Sequence, residues 1–212
     1  MSHDDFAIEP IKGLPEHLPR GEVILWQGRP HWWHLTVASM NLWWVIGYFG
    51  LLTLWRFVTV MDVVPFDRAV AVSLPFVVIG AVVALLFIIV GIIQSRATVY
   101  TITNKRVAMR VGAALTVTLN IPFTQIENAA LAKRAKGFGN IALETKGGTK
   151  FSFLVLWPHA RPWHFARPQP TLRAIPNAEA VAHILAKAAK ARVIETQNNR
   201  QSETPQLGVI TQ

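Results

Sequence analysis

The chain has 212 residues and a formal net charge of +9; 51% of its residues are hydrophobic, 16% are charged, and it has no cysteine. Mean hydropathy is +0.32, high for a soluble enzyme. This balance excludes a disordered polypeptide, a disulfide-stapled secreted domain and a thiolate metal centre.

Residues 1–34 read as an N-terminal segment on the cytoplasmic side. Pro10, Gly13, Pro15 and Pro19 interrupt regular structure, and Glu22 to Trp26 (EVILW) is the one stretch suited to an edge strand. No apolar stretch precedes residue 35, so no cleavable leader is expected. Leu35 to Trp55 and Ala69 to Ile93 carry no charged side chain. Each reaches the roughly 20 residues needed to cross about 30 Å of hydrocarbon. Residues 35–93 are therefore expected to form a transmembrane hairpin with spans at 35–55 and 69–93. Trp32, Trp33 and Trp55 suit the headgroup layer, whereas Trp43 and Trp44 lie deeper, facing either a partner helix or lipid. Neither run has an ionisable side chain, which argues against a transporter, a channel or a histidine-held pigment. Lys12, Arg20 and Arg29 precede the hairpin, and Arg96, Lys105, Arg106 and Arg110 follow it. The positive-inside rule then places both termini in the cytoplasm.

From residue 96 the apolar pattern changes to a period of two. Tyr100 and Ile102, then Val107, Met109 and Val111, then Leu115 to Ile121, alternate with polar residues across Asn104-Lys105 and Gly112. Further strands are expected at Ile126 to Lys133, Asn140 to Thr145, and Phe151 to Val155. Six or so short strands in about 60 residues predict an antiparallel meander, open or closed into a barrel. Five prolines between Leu156 and Pro176 argue against a central strand or helix there. Asn177 then heads an amphipathic helix whose apolar residues Val181, Ile184, Leu185 and Ala188 fall on one face, suited to capping the barrel. Residues 96–192 make up this domain, and 193–212 are expected to be a disordered tail.

Between Arg96 and Arg192 there are 15 Lys and Arg residues against three acids, Glu127, Glu144 and Glu179. A tethered basic domain suits the anionic inner leaflet better than nucleic acid, so anionic lipids are the expected partner and nucleic acid is not. Lys133, Arg134 and Lys136 cluster before a glycine turn, as a headgroup-binding loop requires; a solvated hairpin end explains them equally well. The stretch Trp157 to Pro168 (WPHARPWHFARP) combines rigid aromatics, arginines and prolines, the types that dominate binding hot spots at low ordering cost. Trp157, His159, Arg161, Trp163, His164, Phe165 and Arg167 are accordingly candidates for partner contact; the alternative is that the loop packs on its own domain. His31 and His34 lack a nearby acid or cysteine to complete a metal set. No nucleophile motif or phosphate-cradling loop appears, so neither an enzyme nor a cofactor is expected.

TVYTITNKRVAMRVG from Thr98, IPFTQIENAAL from Ile121 and GFGNIALET from Gly137 resemble the bacterial pleckstrin-homology (PH-like) membrane proteins, as does GEVILWQGRP from Gly21. The resemblance implies an α+β membrane protein: a two-helix hairpin carrying a cytoplasmic PH-like antiparallel β-barrel with a C-terminal capping helix. The phosphoinositide binding of eukaryotic PH domains is not carried over. LWPHARPWHFARPQPTLRAIPNAEAVAHILA is similar to the photosynthetic complex assembly proteins of purple phototrophic bacteria. That likeness implies a non-catalytic factor in the cytoplasmic or intracytoplasmic membrane. Its partners would be subunits of the reaction centre and light-harvesting complex 1, and homo-oligomerisation is left open. It also implies three spans where this sequence has two long charge-free runs. The alternative function is a membrane-anchored lipid-binding envelope protein of the same PH-like scaffold.

Overall fold

The computed structural model describes residues 11, 13–14, 16–113, 115–147 and 151–203, with side chains described as far as residue 198. The apolar runs form three helices, α1 (Trp32–Ser39), α2 (Leu42–Met61) and α3 (Phe66–Ala97). The helix expected to start at Leu35 is broken. Asn41 adopts a left-handed conformation (φ 51°), which Asn tolerates better than most residues, and the chain changes direction before α2. α2 therefore carries the first apolar run past Trp55 to Met61, and α3 extends beyond both ends of the second run. Both are long and apolar enough to cross a membrane. At 1.5 Å per residue the 32 residues of α3 reach about 48 Å.

Small residues set the packing of these helices. A Cβ on Gly80 would come within 2.7 Å of Phe49 Cβ, and one on Gly91 would overlap Thr36 Oγ1, so α2 and α1 each press against α3 at a glycine. Gly47 and Gly50 of α2 have open space around them instead. α1 thus lies beside the last turns of α3, where Ser95 Oγ also donates to Pro30 O (2.7 Å).

α3 passes through Thr98 directly into the first sheet, which has the order β1 (Ile24–Gly28), β2 (Val99–Thr103), β3 (Arg106–Val111), β4 (Val117–Pro122), all antiparallel. β1 is the edge strand expected from the EVILW segment, and Arg106 Nε holds the buried Glu22 carboxylate beside it at 2.9 Å. A second antiparallel sheet has the order β5 (Ile126–Lys133), β6 (Gly139–Thr145), β7 (Thr171–Ile175). The meander does not close into a barrel. A single helical turn at Phe123–Gln125 separates β4 from β5, and these two strands are not hydrogen-bonded.

Three further expectations change. Phe151 to Val155 is not a strand; its second half enters the one-turn helix α4 (Phe153–Leu156) ahead of Pro158. The proline-rich stretch does contain a strand: β7 occupies the five residues between Pro170 and Pro176 and sits at a sheet edge, where the prolines cost no ladder bonds. Helix α5 (Ala178–Glu203) continues past Arg192 through the first part of the expected tail, whose residues 204–212 lie outside the described ones. Val181, Leu185 and Ala188 of α5 close the core formed by Tyr100, Ile102, Val107, Met109, Ile141, Leu143 and Leu172. β2 and β7 are buried along their whole length rather than on alternate residues: Gly13 lies against Val99 of β2, and α1 is bonded to β7.

Candidate functional site

The loop after α4 is closed at its base. Thr171 N–H donates to His159 O (2.8 Å) and Arg161 N–H to Gln169 O (3.0 Å), and Ala160 bridges Pro170. The Arg161 guanidinium adds a bond to Gln169 Oε1 (2.9 Å). Residues 161–169 project beyond this closure. Trp163 is 86% exposed at the tip in a left-handed conformation (φ 64°). That conformation costs a bulky L-residue about 1–2 kcal/mol. Phe165 is also exposed, edge-on to Trp163 (6.4 Å between ring centres) and leaning on Phe153 (4.8 Å). His164 folds back, with Nδ1 2.8 Å from Pro162 O. Phe165 and Arg167 line a groove of about 630 Å³ together with Phe151, Phe153, Glu127 and Glu144. Of the three acids between Arg96 and Arg192, Glu179 pairs with Lys133 (2.8 Å), and Glu127 and Glu144 both line the groove.

His159 does not belong to that surface, contrary to the sequence expectation. It is fully buried beneath the cis Trp157–Pro158 bond, and both ring nitrogens are taken: Nδ1 by Tyr100 OH (2.6 Å) and Nε2 by Thr98 Oγ1 (2.9 Å). Arg173 N–H donates to the Tyr100 oxygen (3.2 Å). With one acceptor site of the Tyr100 oxygen filled by Arg173 N–H, the tyrosine hydrogen is assigned to Nδ1 and Nε2–H to Thr98 Oγ1. Burial and then the Arg173 charge push the His159 pKa down to about 3, so the ring is neutral. Burial likewise raises the Tyr100 pKa, with Arg173 opposing.

Arg173 of β7 is the other half of this junction. Its guanidinium donates to Pro158 O (2.9 Å) and to Ala38 O (3.0 Å) in the last turn of α1, where the helix carbonyls carry partial negative charge. Its pKa falls to about 10, through burial first, with the Tyr100 hydroxyl opposing and Arg134 adding repulsion. His31 N–H donates to Ala174 O (2.9 Å) a residue further along β7. The sheet is thus bolted to α1 by polar bonds at two adjacent residues.

The turn between β5 and β6 carries the expected basic cluster, all three side chains exposed. Lys133 is engaged with Glu179. Arg134 N–H closes the turn on Phe138 O (2.7 Å), and Lys136 (φ 60°) and Gly137 (φ 76°) form its left-handed corner. The Phe138 ring lies on His34 (3.9 Å between centres) and edge-on to His31 (5.2 Å), so the turn abuts the start of α1. His34 has its pKa lowered, by burial first and then by the charges of His31, Lys136 and Arg134.

Of the seven partner candidates, the structure brings together Trp163, Phe165 and Arg167 at an open surface. Trp157, Arg161 and His164 frame the loop, and His159 is core. Sequence reasoning missed Thr98, Tyr100 and Arg173, whose partners, Pro158 apart, are 59 to 135 residues away. It also missed the pairing of His31 and His34 with the basic turn, for which the aromatic Phe138 was the available signal.

No solved structure matches the chain. It is 45% identical over 203 residues to a Rhodobacter capsulatus protein described as an uncharacterized 23.7 kDa protein in the puhA 5′ region, with 93% of each chain covered. Residues 34–189 match the family model of the bacterial PH domain, covering α2, α3 and strands β2 to β7. The chain belongs to the bacterial PH domain family.

Proposed function

We propose that this protein is a non-catalytic, PuhB-type assembly factor for the photosynthetic reaction centre and its surrounding light-harvesting complex 1. In this reading α2 and α3 cross the bacterial cytoplasmic or intracytoplasmic membrane, both termini are cytoplasmic, and the PH-like domain stands on the inner face. The photosynthetic context rests on the relative whose description places it in the puhA 5′ region, together with the resemblance of residues 156–186 to assembly proteins of purple bacteria. The observation that carries the mode of action is the loop tip. A folded domain has little reason to hold Trp163 in a strained backbone with its ring in solvent, next to an exposed Phe165 and Arg167, unless these side chains serve a partner.

The groove beneath supports this. It joins three phenylalanines to two carboxylates in an otherwise basic domain, a lining that suits a Lys- or Arg-bearing cytoplasmic flank of a client's membrane helix. Within the bilayer, Gly47 and Gly50 lie on an open face of α2 beside Trp43, Trp44 and Tyr48, where a client helix can approach closely. Replacing Trp163, Phe165 and Arg167 together by Ala in phototrophically growing cells tests the assignment. Reaction-centre absorbance per cell should fall to the level of a strain lacking the protein, while the variant stays in the membrane at normal abundance. Normal reaction-centre yield with the variant refutes the loop's role.

A further inference from the structure

The membrane-facing end of the second sheet holds an uncompensated positive charge. Arg134 and Lys136 stand exposed on the β5–β6 turn, and among the described residues no carboxylate pairs with either. The turn is clamped through Phe138 onto His34 and His31, which are 5.2 Å apart between ring centres. Lys133, the remaining cation of the cluster, is already committed to Glu179 of α5. Four basic groups from two elements therefore converge without an acid, and Arg134 also acts on the buried Arg173 behind them. Such a gathering is self-repulsive until an anion joins it.

Position says which anion. His31 and His34 bracket the first turn of α1, which lies against the last turns of α3; Ser95 bonds Pro30 immediately before His31. The apolar run of α3 ends at Ile93, so the cluster sits at the level where the headgroups of the inner leaflet begin. Trp32, 40% exposed on the same turn, is the aromatic type that occupies this layer. We propose that Arg134, Lys136, His31 and His34 form a binding site for the phosphate of an anionic lipid headgroup, seated between the β5–β6 turn and the first turn of α1. The lipid bridges the domain to the bilayer beside the Arg173 bolt and fixes how the domain faces the membrane. The proposal rests on the membrane-hairpin reading, which extraction of membranes with alkaline carbonate decides separately, and it is independent of the client.

The test uses the full-length protein in mild detergent, titrated with phosphatidylglycerol, with phosphatidylcholine and with inorganic phosphate, and read by native mass spectrometry. Phosphatidylglycerol should bind in preference to phosphatidylcholine. Removing two headgroup-contacting cations in an R134Q/K136Q variant should weaken its binding by about 30-fold, roughly five-fold per charge. A K187Q/K190Q variant, which removes two exposed cations of α5 away from the turn, should bind as the parent does. Equal loss in both variants, or no preference for the anionic lipid, overturns the site. Inorganic phosphate binding as tightly as phosphatidylglycerol overturns the lipid assignment in favour of a free anion. In the unmodified protein, ring NMR of His34 should show its imidazole titrating at higher pH in phosphatidylglycerol nanodiscs than in phosphatidylcholine nanodiscs; unchanged titration also overturns the proposal.

Discussion

Acidification probes the junction through His159. The ring is neutral in the folded protein, with its pKa pushed from 6.5 to about 3 by burial, whereas an unfolded chain takes up the proton near pH 6.5. Below that pH the unfolded state binds more protons than the native one, so stability falls as pH falls between about 6.5 and 3. Between pH 7 and pH 5 this single group removes about 2 kcal/mol, which raises the opening equilibrium roughly 25-fold. Hydrogen exchange of the full-length protein in nanodiscs, corrected for the intrinsic pH dependence of exchange, should show the loss in peptides covering β2 and β7, which His159 ties together. His34 contributes in the same direction, since its pKa is also lowered, so the comparison needs a H159Q variant. That variant should be less protected at pH 7 and should lose much less protection on going to pH 5. Equal protection of the parent at both pH values, or the same acid loss in H159Q, refutes a neutral, doubly bonded His159.

The remaining predictions concern the bolt and the glycines. In R173K the ammonium cannot reach Pro158 O and Ala38 O together, and losing one such charge-assisted bond costs about 1.5–3 kcal/mol. Spin labels at Trp44 and Leu115 should then report a broader distance distribution between stem and domain; an unchanged width counts against the bolt. A G91A substitution drives a methyl onto Thr36 and should cost about 1–3 kcal/mol of resistance to heating in detergent. G47A meets open space and should leave that resistance unchanged while lowering co-purification of client subunits; comparable thermal damage from both would show that Gly47 packs inside the chain.

Much of the fold is written in local patterns. The alternation from Tyr100 to Ile121 places β2 to β4, and the apolar face of Val181, Leu185 and Ala188 places the capping helix, because pairing and burial there follow a repeat that neighbouring residues display. β7 is hidden because prolines flank it closely, and its edge position, which makes them harmless, is a property of the assembled sheet. The failure of the barrel to close depends on the break at Phe123–Gln125, and no nearby residue announces that β4 and β5 part company. The loop from Trp157 to Pro168 is half legible. Its composition marks Trp163, Phe165 and Arg167, but the same composition marks His159, and only partners some 60 residues distant, Thr98 and Tyr100, show that this histidine is internal.

The direct passage of α3 into β2 has a mechanical consequence. A single residue, Thr98, separates helix from strand, and its hydroxyl is held by His159, so there is no slack joint between the apolar stem and the sheets. In the proposed membrane setting the molecule then behaves as a stiff lever. A small tilt of α3, imposed by a neighbouring helix or by a change in bilayer thickness, becomes a larger sweep of Trp163 at the far end.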